Sequence, residues 1–253
     1  QSLLRNPLAD PFLLGVSSGA STGAVLVVVL GVGGGAVSLS VGAFAGALCS
    51  FACVLLLGYA SGGTTDRLVL SGVAAMQLFS ALTSFIVISS ADAEQTRGVL
   101  FWLLGSLSGA NWNDVITGAA VLGAVLAVAV YTATALDAFA FGSDAAASLG
   151  VSVTRVRLLL LTATALLTAV LVSVAGAIGF VGLVLPHAVR AVVGSGHRRL
   201  LPTTALAGAV FLVWVDTVAR TAMDPQEIPV GVVTSLVGVP AFAVVLYRVR
   251  RGT

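Results

Sequence analysis

The sequence predicts an all-α, polytopic membrane protein, a helical bundle of about eight spans with one short broken helix and one interfacial helix. Three observations predict it. Of 253 residues, 58% are hydrophobic and 9% charged, where a soluble domain carries about 25% charged residues. The mean hydropathy is +1.10. The apolar residues fall in long runs between short polar or glycine-rich connectors. A soluble chain of this length could not cover so much apolar surface.

The polar residues exclude several functions. All 12 basic residues are Arg and no Lys is present. A Walker A phosphate loop needs its Lys, so ATP-driven work falls to a partner. Schiff-base chemistry on Lys is excluded as well. Cys49 and Cys53 lack C-x-x-C spacing and read as two small buried thiols. His187 and His197, the only 2 His, are too few for a histidine-based metal or haem site of the usual kind. There is no G-x-S-x-G with a partner His, which argues against an intramembrane serine hydrolase. The expectation is a non-catalytic chain with no metal and no cofactor of its own.

The connector 1–11 is punctuated by Pro7 and Pro11, which push Asn6 and Asp10 toward extended geometry. No signal-peptide pattern precedes it, and a chain opening on Gln1 reads as one that begins partway through a protein. Residues 12–30 form a first span. Gly15, Gly19 and Gly23 lie four apart on one face, a small-residue stripe for an interhelical contact. A phosphate loop is the sharper alternative there, but no strand precedes it. After a glycine turn at 31–35 come spans at 37–59 and 68–90, joined by the polar loop 60–67. The hydroxyls of the third span read as packing contacts between helices.

A charged loop, 91–98, leads to an apolar stretch at 99–107. That is too short to span and fits an interfacial helix, with Trp102 and Trp112 as boundary anchors. Residues 112–134 make a fourth span. In the mildly polar 136–154, Ser143 is a candidate N-cap, Asp144 suits the first helical turn and Gly150 ends the short helix. Residues 158–175 make a fifth span. The stretch 176–202 is a half-helix interrupted by Pro186, with Gly176, Gly179 and Gly182 at helical spacing for close backbone approach. His187 reads as a structural residue at that break. Arg190, His197, Arg198 and Arg199 read as a basic patch at the membrane surface. Spans at 201–223 and 229–247 complete the chain.

Orientation follows from the bases. With a cytoplasmic C-terminus, Arg5, Arg67, Arg155, Arg157, Arg190, Arg198, Arg199, Arg248, Arg250 and Arg251 fall on the cytoplasmic side. Only Arg97 and Arg220 fall opposite. Asp216 and Arg220, one turn apart near the outer end of the seventh span, are an ion pair on one reading and a functional site on another. An ion-coupled secondary transporter would place such charges at mid-membrane.

Five stretches carry a resemblance: NPLADPFLLGVSSGAS (6–21), SGVAAMQLFSALTSFI (71–86), FWLLGSLSGANW (101–112), GAIGFVGLVLPHAVR (176–190) and VDTVARTAMDPQEIPVGVVTSLVGVPAF (215–242). Together, and in this order, they resemble the FecCD permeases, membrane subunits of type II ABC importers for ferric siderophores, haem and cobalamin. The resemblance implies one transmembrane permease domain over 1–253, N-terminally incomplete. About ten spans are expected in the family, of which this sequence supplies roughly the last eight. It implies a multi-pass protein of a prokaryotic plasma (inner) membrane whose cargo is most commonly an iron-siderophore complex. The implied partners are a second permease copy (identical or related), two cytoplasmic ABC ATPases holding the ATP and Mg, an extracytoplasmic substrate-binding protein and the lipid bilayer, with no nucleic acid.

The resemblance also assigns roles. Arg220, beside Asp216, would dock a carboxylate of the binding protein, a fit for its planar fork. Gly142, Ser143, Asp144, Ala145, Leu149 and Gly150 match the segment that couples to the ATPase. The family often has Gly-Glu at its start; here Ser143 moves the acid one place, to Asp144. Asn6, Leu8, Thr65 and Asp66 match two loops forming a cytoplasmic gate.

Overall fold

The computed structural model describes residues 1–90, 92–223 and 225–251, with 244–251 described by backbone alone. Ala91, Asp224 of the 215–242 motif and the side chains of Arg248, Arg250 and Arg251 therefore lie outside the described residues.

The chain is all-helical. A 3₁₀ turn at Pro11–Leu14 precedes α1 (Val16–Val28), α2 (Leu39–Ala60), α3 (Thr65–Ser90) and α4 (Ala93–Leu103). Then come α5 (Trp112–Tyr131), α6 (Ala133–Phe139), α7 (Ser143–Ser148) and α8 (Val153–Ala175). The last three are α9 (Val181–Val193), α10 (His197–Thr221) and α11 (Val230–Arg251). Among the described residues, α2, α3, α5, α8 and α10 are the 5 helices long and apolar enough to cross a membrane. Of the other stretches, α1 and α9 are shorter apolar helices, α9 lying in the stretch expected to hold a half-helix, and α11 is apolar over Val230–Ala243.

The late start of α1 has a local cause. At the first span, Asp10 Oδ1 accepts the backbone N–H of Phe12 and starts the 3₁₀ turn. Gly15, at φ +69°, ends that turn and begins α1. Burial pushes the Asp10 carboxyl above its ordinary range, and the Phe12 N–H only partly offsets this. The expected interfacial stretch becomes α4, which starts earlier. Asp92 and Gln95 form a capping box there, each side chain accepting the other's backbone N–H. Trp112, at the start of α5, is 80% exposed.

Contacts divide the chain into two compact units: Gln1–Ala9 with Leu122–Thr162 and Ile178–Thr253, and Asp10–Val121 with Ala163–Ala177. The second unit is organised by α1, α2 and α3. Gly19 and Gly23 lie directly on Gly46 and Gly42 of α2, and a Cβ at Gly23 would strike the Gly42 carbonyl. Only glycine allows that approach. Polar contacts fix the third helix: Thr22 Oγ1 donates to Phe79 O at 2.8 Å and meets Thr83 Oγ1 at 2.8 Å. Ser50 Oγ donates to Gly15 O at 2.8 Å. Val25, Ile86 and Val99 make an apolar cluster against which Leu103 packs. Cys49, expected to be buried, is exposed on α2, and Cys53 is half-buried.

The segment expected to be a half-helix up to Pro186 is different in this structure. Residues 176–179 are non-helical, so Gly176, Gly179 and Gly182 share no helical face. Gly176 instead adopts φ +70° and lies against Trp102 O and Gly105. In the other unit, α9 begins after Phe180, which holds φ +67° beneath Gly238 of α11. Pro186 lies inside α9 and does not end it. Proline cannot bond the carbonyl four residues back; that carbonyl, Gly182 O, accepts from Gln1 Nε2 at 3.4 Å. The next turn is reinforced by His187, whose Nδ1 donates to Leu183 O at 2.7 Å.

Candidate functional site

The residues that matched the coupling segment, 142–150, are α7 and its flanks, which pair with α6 in a small hairpin. Phe139 and Ala146 are fully buried in its centre. Leu3, Val151, Val153 and Val156 pack around them. Gly142 takes φ +108° between the helices, a conformation that a side chain would strain. It occupies the N-cap place expected of Ser143, which is instead the first helical residue. The Ser143 hydroxyl accepts from Arg157 Nη2 at 3.1 Å, tying the hairpin to the start of α8. Asp144 is exposed in the first turn and Ala145 is half-buried. Leu149 is the C-cap, followed by Gly150 at φ +83°. Two large apolar side chains stand out from this hairpin, Phe141 at 79% exposure and Leu149 at 71%. The sequence singled out Leu149 but not Phe141.

At the far end of α10, Arg220 Nε donates to Asp216 Oδ2 at 2.8 Å. The pair is only partly covered, with 42% of the Arg220 side chain and 23% of Asp216 exposed. Arg220 lies in the last turn of its helix, where a cation suits the dipole. The ion-pair reading therefore describes the isolated chain, and the Arg220 side chain still reaches outward.

Of the two loops matched to a gate, Asn6 and Leu8 lie in one unit and Thr65 and Asp66 in the other. Asn6 Oδ1 accepts the Leu8 backbone N–H at 2.9 Å, an Asx turn that leaves Leu8 48% exposed. Thr65 is the first residue of α3 and Asp66 lies in its first turn.

A polar network was not legible in the sequence. His197, read there as part of a surface patch, is 8% exposed. Its Nδ1 donates to Asp137 Oδ1 at 2.5 Å, and its Nε2 meets Ser2 Oγ at 2.6 Å. Burial by itself would raise the Asp137 carboxyl; the hydrogen bonds from the ring and backbone of His197, and that ring's charge, outweigh it and lower the carboxyl. Ser2, Asp137 and His197 line a cleft of about 550 Å³, together with Arg5 and Arg190. The signal that could have found them is Asp137, an isolated acid in the apolar stretch ALDAF. Among the described residues, no group of three His, Cys, Asp or Glu side chains could hold a metal ion.

This arrangement can be set beside known proteins. The cobalamin import system permease protein BtuC of Halobacterium salinarum is 45% identical over 97% of this chain and 66% of its own length. The Fe(3+)-citrate import system permease protein YfmD of Bacillus subtilis is 37% identical over 100% of this chain and 74% of its own. The chain thus spans about two thirds to three quarters of these relatives. A solved structure described as an inward-facing conformation of a metal-chelate type ABC transporter superposes with a TM-score of 0.89 at 33% identity. That match covers 98% of this chain and 79% of the other. The model of the FecCD transport family matches residues 1–248, and the chain belongs to that family.

Proposed function

We propose that this chain is the membrane-spanning permease subunit of an ATP-driven ABC importer for a metal chelate. The observation that carries the reading is the likeness over the whole chain to a metal-chelate transporter. The absence of any Lys for a phosphate loop agrees with hydrolysis on a separate ATPase. The cargo we favour is an iron-siderophore complex. Cobalamin is the second reading, on the strength of the 45% identical relative; haem is the third.

The partners follow from the roles of the site residues. A second permease copy completes the path across the bilayer, and Asn6, Leu8, Thr65 and Asp66 gate it on the cytoplasmic side. Exposed Phe141 and Leu149 give α6–α7 an apolar face for the ATPase. Arg220 meets a carboxylate of the binding protein, exchanging its Asp216 partner or sharing it.

ATP-dependent uptake in proteoliposomes tests this, using the full-length protein, its ATPase and its binding protein, with ferric siderophore, haem and cobalamin supplied separately. Uptake of one cargo that is lost without the ATPase is expected. Uptake that ignores ATP and follows an ion gradient would replace the reading with a secondary transporter. Two variants test the surfaces. Arg220→Glu is expected to weaken binding-protein association by about tenfold or more, since it sets like charges together. Leu149→Asp is expected to lose co-purification of the ATPase. Unchanged association in either case removes that surface from the proposal.

A further inference from the structure

Asp137, His197 and Ser2 come from three separate parts of one unit: α6 of the hairpin, the first turn of α10, and the segment Gln1–Ala9. An ionised carboxylate only accepts hydrogen bonds, so the His197 Nδ1 carries a proton toward Asp137. In the neutral ring, Nε2 then accepts the Ser2 hydroxyl; in the charged ring it donates to the same oxygen. Either way, Ser2 remains tied to the imidazole at 2.6 Å.

Asp137 Oδ1 does a second thing. It accepts the backbone N–H of His197 at 3.1 Å. His197 is the first residue of α10, whose N-cap Gly196 has no side chain to offer. The carboxylate of α6 thus caps α10 from outside, at the positive end of its dipole. The α6 helix and α10 are joined through main chain as well as side chain.

The segment 1–9 is held in the same place twice. Ser2 is fastened to the ring, and Leu3 packs against the cluster that Ala138, Phe139 and Ala146 form in the hairpin. Within the segment, Asn6 N donates to Gln1 O at 3.1 Å and Arg5 N donates to Ser2 O at 3.3 Å. A displacement at Ser2 is therefore carried to Asn6, and through the Asx turn to Leu8.

We propose that Asp137, His197 and Ser2 are positioning residues that relay movement of the α6–α7 hairpin to the segment bearing Asn6 and Leu8. This rests on the permease reading above and deepens it, by naming the side chains through which ATPase and gate communicate. His197 is the centre: a nearly buried ring with both nitrogens engaged cannot let one neighbour move without the other. The same three groups in this order also serve nucleophilic catalysis in other proteins. Here the carboxylate is divided between the ring and the helix it caps, and the role assigned is mechanical.

The experiment uses the full-length protein with its ATPase and binding protein in proteoliposomes, a ferric hydroxamate siderophore as the probe, and cobalamin and haem as parallel arms. Both cargo uptake and ATP hydrolysis are measured. His197→Phe keeps a ring and loses both hydrogen bonds. It is expected to lower cargo moved per ATP by about tenfold, within the range of coupling between linked sites, with ATP hydrolysis and ATPase association kept. Ser2→Ala, which leaves the Asp137 contact alone, guards against misfolding of the first variant and is expected to act in the same direction. In the double variant Ser2→Ala adds little to His197→Phe, because the ring is the shared partner. Parallel loss of uptake and hydrolysis, or an unchanged ratio in both variants, overturns the relay. So does covalent labelling of Ser2 by a fluorophosphonate, which would make the hydroxyl a nucleophile. If the wild type itself moves no cargo with ATP, the permease reading has failed; if only the variants keep their ratio, the relay alone has failed.

Discussion

Where α1 meets α2, backbone lies on backbone; at the base of α10, three polar side chains meet. In the first region Gly19 and Gly23 face Gly46 and Gly42, so the contact is fixed by the absence of side chains. In the second, Asp137, His197 and Ser2 fix the contact by hydrogen bonds of 2.5 and 2.6 Å. In a membrane there is little hydrophobic force between helices, so close packing has to supply the attraction. At a polar boundary water competes, and a charged network centred on a nearly buried ring holds better than isolated contacts. The difference teaches that shape specifies the one junction and charge the other. The first should be indifferent to pH and intolerant of volume; the second should be the reverse.

The largest expected effect breaks the first junction. Gly23→Leu drives a side chain into the Gly42 backbone, and neither helix can yield without losing the other contacts of α1. Overpacking of this kind costs about 3 kcal/mol. Thermal unfolding in detergent should show a lower midpoint, by the same amount from pH 4 to pH 8. A loss that changed with pH would mean that the junction is not a matter of shape.

The first junction was legible in the sequence and the second was not, for a physical reason. A stripe at Gly15, Gly19 and Gly23 is local: helical periodicity alone puts its members on one face. The short helix α7 was legible for a similar reason, since Gly142 and Gly150 bracket it, although Gly142 took the cap position expected of Ser143. His197 and Asp137 are 60 positions apart, and Ser2 lies 195 from His197. No periodicity links residues at such distances. Pro186 misled for a related reason: a proline signals a lost hydrogen bond, but the sequence does not say that Gln1 lies where it can bond Gly182 O. The helical class was plain from composition, whereas the length of each apolar helix depended on cap residues such as Gly15 and Phe180.

A smaller effect sharpens the second junction. Asp137→Asn removes the charge but keeps one acceptor oxygen. With 46% of the Asp137 side chain exposed, water replaces part of what is lost, so the expected cost near neutral pH is about 1 kcal/mol. The sign with pH follows from the carboxyl's lowering below its ordinary value of 3.8. A group lowered on folding stabilises the fold fully above 3.8 and loses that contribution as pH falls through the folded value. Wild type should therefore lead the variant at about pH 5 and lose the lead as pH falls below about 4. Arg5 and Arg190, which also line the cleft with His197, stay positive in acid, so the loss below about pH 4 is assigned to Asp137. A lead that persisted in acid would place the stabilisation in packing, like that of the glycine junction.

The smallest effect has the opposite sign and tests whether a glycine matters here for its place or merely for its type. Gly123 lies in α5 with nothing within 4 Å of where a Cβ would stand. Its backbone is helical and the residue is exposed. Alanine at such a site removes freedom from the unfolded chain and meets no neighbour, which favours the helix by about 0.5 to 1 kcal/mol. Gly123→Ala should raise the unfolding midpoint slightly, while the same single methyl at Gly23 should lower it, because there the Cβ meets a carbonyl oxygen. A loss at Gly123 comparable to that at Gly23 would mean that a close neighbour covers this face of α5 in the membrane, and the second permease copy proposed above would be the first partner to test by crosslinking from that position.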